Sequence, residues 1–217
     1  KGLTVSKKII LTFVALIAIF SAFGAYAIYA ARELNASTNG LMEWTNSLVA
    51  ASQLADAANE TRRAGIVRAM NTDPNKKAAM DAKLARTRQK VEDAFAHYQA
   101  VIDEDDADTT EDRQRDLAIL EEERKAWQAY LATGQKVDEL VKAGKQAEAL
   151  VYIEGPNREA FEKFMDLIVQ DEERAMKGSR EEKADSDEDY KSVILSTIVA
   201  ALVGILFTCV CAFFLLT

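Results

Sequence analysis

The chain has 217 residues with only 2 prolines and 9 glycines, and 49% of it is apolar. Such a composition suits long uninterrupted helices and excludes a strand-rich fold, which needs more turn residues. With 27 basic residues against 35 acidic ones, a formal charge of −8, there is no basic footprint for a nucleic acid.

Lys1, Lys7 and Lys8 precede an uncharged run, residues 9–31, of 23 residues. As a helix it is roughly 34 Å long against a hydrocarbon core of about 30 Å, which predicts a first transmembrane helix over 9–31. The flanking lysines place residues 1–8 in the cytoplasm. A cleaved signal peptide is the alternative for this run, because Ala25-Tyr26-Ala27 has the small-x-small form of a cleavage site.

Between the two apolar runs lies every acidic residue, from Glu33 to Asp189. Setting aside Lys1, Lys7, Lys8 and Lys191 leaves 23 basic residues there against 35 acids, a charge of −12. The segment 32–190 is therefore predicted to be an acidic extracytoplasmic domain. Its first helix carries Leu34, Leu41, Leu48 and Ala55 at seven-residue spacing, which predicts a coiled-coil seam. Asn71-Thr72-Asp73-Pro74 then supplies a stop, a cap and a first-turn proline.

A second helix shows Met80, Leu84, Thr87, Val91, Ala94, Tyr98 and Val101 at alternating spacings of four and three, so one face is apolar. It runs into Asp103-Glu104-Asp105-Asp106-Ala107-Asp108. A third places Leu117, Leu120, Trp127, Leu131 and Val141 on one seam, interrupted by Arg124, Gly134 and Asp138, and closes near Ala143-Gly144. A short helical piece at 146–152 precedes a break at Gly155-Pro156.

The fourth helix starts near Asn157 and is apolar early, through Phe161, Phe164, Met165, Leu167 and Ile168. Its polar stretch 170–190 is predicted to be weakly packed and mobile. Four long helices return the chain to the membrane, so the predicted fold is all-α, an antiparallel up-down-up-down four-helix bundle flanked by two transmembrane helices. The second of these falls in 191–217, where no charge occurs from Ser192 onward; residues 193–216 span roughly 36 Å as a helix. Ser196, Ala200, Gly204, Thr208 and Ala212 recur along it every four residues, with Ala18 and Ala22 or Ser21 and Ala25 on the first, a pattern that permits close packing of spans in a dimer.

Catalytic chemistry finds few candidates. The single histidine, His97, has no histidine or cysteine partner in the external segment, and Cys209 with Cys211 lies inside the second apolar run. The acidic run has Asp108 where a calcium loop needs glycine and Gln114 where it needs glutamate. No Glu-x-x-His pair or phosphate-binding glycine loop is present, so no catalytic residue, metal or cofactor is expected.

Arg62, Arg63 and Arg68 are the only basic residues between Arg32 and Lys76. Arg62 and Arg63 point to adjacent helix faces, and a guanidinium turned inward requires an anion. Either they pair with acids of neighbouring helices, or they form a receptor site for a small anionic or zwitterionic solute.

Over nearly its whole length the chain resembles the N-terminal half of bacterial methyl-accepting chemotaxis receptors of the four-helix-bundle sensor type. The most specific stretch is Arg62-Arg63-Ala64-Gly65-Ile66-Val67-Arg68-Ala69-Met70-Asn71, similar to the arginine-bearing end of the first helix in aspartate and serine receptors. The resemblance implies ligand roles for Arg63 and Arg68, while a further family arginine falls at Ala58 here. Tyr152-Ile153-Glu154-Gly155-Pro156-Asn157 is similar to the family's aromatic and Pro-Thr segment, with Asn157 in place of threonine. The candidate ligand-binding residues are thus Arg62, Arg63, Arg68, Tyr152 and Asn157.

What the resemblance implies is a homodimer in the lipid of the bacterial inner membrane, its sensor domain in the periplasm and a small-molecule ligand between subunits. Signalling would pass through the second span to a cytoplasmic HAMP and kinase-control module beyond Thr217. Two alternatives remain open: the same sensor serving a histidine kinase or diguanylate cyclase, and a ligand-free structural or protein-interaction bundle.

Overall fold

A computed structural model describes residues 5–104 and 110–216, with no side chain described at 5 or 214–216. Residues 1–4 of the N-terminal stretch, 105–109 of the acidic loop and Thr217 lie outside the described residues. The described residues are almost wholly helical, and no strand occurs among them: α1 Val5–Met70, α2 Pro74–Glu104, α3 Thr110–Lys142, α4 Gln146–Tyr152, a π-helical turn Ile153–Asn157, and α5 Arg158–Leu216. They form two compact units, one of residues up to Leu41 with those from Arg180 onward, the other Met42–Ser179.

The second unit is the four-helix bundle of α1, α2, α3 and α5. The junctions follow local chemistry. Asp73 caps α2 by accepting the Asn75 N–H at 2.9 Å, and Pro74 fills the first helical position, where no N–H is needed. α3 stops at a Schellman motif: Gly144 has φ +72°, the Lys145 N–H donates to Leu140 at 2.9 Å and the Gly144 N–H to Val141 at 3.1 Å. At the expected break, Gly155-Pro156, two helical segments meet across a kink in which Gly155 is non-helical, with φ −106° and ψ −108°.

Aromatic side chains from three helices fill the core, and α1 contributes mainly small ones. Trp127 lies 5.3 Å from Phe164 and 5.1 Å from Tyr130, which is 5.2 Å from Phe161. Opposite them α1 presents Ala50, Ala51, Leu54, Ala57 and Ala58. The leucine heptad therefore is not the core stripe. Leu41, Leu48 and Ala55 are half-buried and Leu34 is exposed, because alanines let α1 approach the aromatics more closely than leucines would.

On α2 the buried face turns slightly from the predicted one, with Phe95 and Ile102 joining Leu84, Thr87, Val91 and Tyr98. On α3 the charged residue that enters the core is Glu123, while neighbouring Arg124 stacks its guanidinium 4.6 Å from the Phe95 ring centroid. Packing of α5 also continues past the expected end of its apolar stretch: Asp171 and Ala175 are buried, and Trp44 lies against Gly178.

In the other unit most large apolar side chains are exposed, among them Phe13, Phe20, Leu195 and Leu206. α1 and α5 are each long and apolar enough there to cross a membrane. Between them an apolar groove of about 740 Å³ is lined by Phe23 and Tyr26 on one side and Ser196, Ala200, Gly204 and Thr208 on the other. Four members of the small-residue stripe thus face α1 of the same chain. The hydroxyls of Tyr26 and Ser196 are hydrogen-bonded across it.

Candidate functional site

Helical geometry decides where each arginine of α1 goes. Successive residues are about 100° apart around a helix, so Arg62 and Arg63 diverge. Arg62 is half-buried and its guanidinium carbon sits 4.6 Å from the Phe161 ring centroid, a cation–π contact. Arg63 is exposed in an open groove of about 650 Å³ between α1 and α2, with Gln53, Asp56, Glu60, Lys90, Asp93 and His97. Lys90 is bound there to Glu60 at 2.7 Å.

Arg68 is buried and forks between Asp81 of α2 and Asp138 of α3. Burial pulls its basicity down, but the two carboxylates outweigh that and raise it. The same hydrogen bond holds the Asp81 carboxyl below the usual carboxylate range. Arg68 is thus an internal cross-tie of three helices.

Inside the bundle a cavity of about 30 Å³ is lined by Thr61 and Arg62 of α1, Arg88 of α2, Tyr130 and Asp138 of α3, and Asn157. Its volume suits one water-sized group. Asn157 is buried and donates its amide N–H to the Thr133 hydroxyl at 2.8 Å. Arg88 has its Nε buried without a partner. Burial drives the Tyr130 hydroxyl up to about 12, opposed by the charges of Arg62 and Arg88.

Of the sequence-predicted residues, then, Arg62 and Asn157 meet at one cavity and Arg63 faces a separate groove. Arg68 is tied to aspartates, and Tyr152 packs beside Ala69, Val137, Ala149 and Ile153. Arg88 was not singled out from the sequence. It lies four residues after Leu84 and three before Val91, a register that marks it as inward-facing.

Comparison with known families matches residues 2–190 to a four helix bundle sensory module for signal transduction. The chain belongs to that family. It is a sensory module of the methyl-accepting chemotaxis type, with two helices apolar enough to anchor it in a membrane. No curated protein and no solved structure matches it. In this sensory module Arg62 and Arg63 of α1 and Arg88 of α2 line two different recesses, the Arg62 and Arg88 cavity and the open groove of Arg63.

Proposed function

We propose that this chain is the sensing half of a transmembrane chemoreceptor, a receptor and not an enzyme. Residues 9–31 and 191–217 span the bacterial inner membrane, residues 32–190 stand in the periplasm, and a small anionic or zwitterionic solute binds at the membrane-distal end. A homodimer, with output to a cytoplasmic kinase-control module, completes the reading.

One observation carries the solute assignment. In a segment of charge −12, where acids outnumber bases, Arg62, Arg63 and Arg88 have no carboxylate at ion-pair distance among the described residues. Charge-assisted hydrogen bonds to a ligand carboxylate contribute about 1.5–3 kcal/mol each. Arg63 is the accessible member, and its groove also holds Asp56 and Asp93, so both ends of an amino acid find opposite charges there. The Arg62–Asn157 cavity has room only for a water-sized group beneath.

Calorimetric titration of the full chain in lipid nanodiscs against amino acids and small carboxylates tests this. Binding weakened at least roughly tenfold by Arg63→Ala, equivalent to about 1.4 kcal/mol, is the expected result. Silence across the panel, or unchanged affinity in the variant, removes the site. A ligand-free bundle is the second reading, favoured by Arg68, whose charge is spent on Asp81 and Asp138; it expects that silence together with an intact fold.

A further inference from the structure

Glu123 of α3 is fully buried, and neither of its carboxylate oxygens has a hydrogen-bond partner. One turn along, Trp127 is equally buried, and its indole N–H is also unpartnered. An ionised carboxylate without hydrogen bonds in a packed core is strongly disfavoured, so such a group is either matched by a cation or carries a proton.

The neighbouring charges leave no cation for it. From α5, Asp171, Glu172 and Arg174 act on Glu123, and Tyr98 of α2 is coupled to it. Asp56 of α1 acts on Glu172. Arg174 donates to Asp171 at 2.6 and 3.2 Å and also to Asp116 of α3, while Asp171 accepts the Tyr98 hydroxyl. One guanidinium is thus already divided between two carboxylates. Among the described residues no three His, Cys, Asp or Glu side chains are grouped to hold a metal ion.

We propose that Glu123 is a proton-binding site of the sensory bundle, whose occupancy sets the contact between α3 and α5. Protonated, it packs as a neutral group beside Asp171. Deprotonated, it repels Asp171 and competes for Arg174, weakening the Arg174 bridge to Asp116 that ties α5 to α3. Burial first, and the Asp171 charge second, push the Glu123 carboxyl up to about 8, with Arg174 opposing. The switch therefore falls within reach of ordinary external pH. The groups it acts on, Asp171 and Arg174, sit on α5, the helix that continues into the second apolar run, and the switch does not depend on the solute site around Arg63.

The test is a carbon-13 NMR titration of the full chain in nanodiscs, with side-chain carboxyls of glutamate labelled. A glutamate resonance titrating near pH 8, absent in Glu123→Gln and moved to lower pH by Asp171→Asn, is the expected result. If the Gln variant fails to fold, the downward shift in Asp171→Asn together with survival of the resonance in Glu172→Gln makes the assignment, since Asp171 raises Glu172 as well. Should every glutamate titrate close to the ordinary value of 4.5, or the high resonance survive in Glu123→Gln, the proposal is overturned.

Discussion

Arg68 sits between Asp81 and Asp138, and removing it leaves two carboxylates facing each other across α2 and α3. Asp81 is 45% exposed and Asp138 25%, so water recovers part of the loss. Arg68→Ala is expected to destabilise the bundle by about 1–3 kcal/mol in denaturant unfolding, and Arg68→Lys to restore only part, since an ammonium lacks the fork. The pH dependence has two opposite contributions. Asp81 is held below its usual range by the Arg68 hydrogen bond, so its stabilisation is present above the ordinary carboxylate value and lost as pH falls through the lowered one. Glu123 is raised, so its favourable contribution is complete below 4.5 and is lost as pH climbs toward about 8. Across that window stability falls by about 1.4 kcal/mol per pH unit from this group. Maximal stability is thus expected on the acid side of neutrality, and Glu123→Gln is expected to move it to higher pH, as measured by urea midpoints over a pH series.

Helix–helix contacts set the next scale. A Cβ added at Gly178 of α5 would lie 2.5 Å from Trp44 Cε2, in a ring of α1. Gly178→Ala therefore forces the indole aside, a cost of about 1–3 kcal/mol that a lowered thermal midpoint would show. Serine elsewhere on the exposed face of α5 carries no such penalty. The same contact explains why α5 stays packed beyond residue 170, where its composition turns polar. Periodicity made the apolar faces of α2 and α3 legible, because sustained spacings of three and four report a face. It misjudged α1, where leucines at seven-residue spacing outweighed the alanines Ala50, Ala51, Ala57 and Ala58 that form the buried stripe. Small size at a tight contact is a property of the pair of helices, and a single helix does not display it.

Across the whole chain, the two uncharged stretches and the lysines before the first predict a single crossing each. Single cysteines at positions 8 and 189, in a background with Cys209→Ser and Cys211→Ser, are expected to react with an impermeant reagent from opposite sides of a sealed vesicle. Labelling of both from one side would remove the membrane topology on which the receptor reading rests. Helix number, the helix ends at Asn71–Pro74 and Ala143–Gly144, the acidic character of residues 32–190 and the chemotaxis-type family were all readable in the sequence itself. They are sums over many residues, or local chemistry such as Asp73-Pro74 and Gly144, and survive errors at single positions. Tertiary packing alone decided that Arg68 is neutralised by Asp81 and Asp138, that Arg62 and Arg63 serve different surfaces, and that Glu123, not Arg124, enters the core. Those outcomes turn on helix rotation of about 100° per residue and on partners 13 to 70 positions away, and only the assembled bundle specifies either.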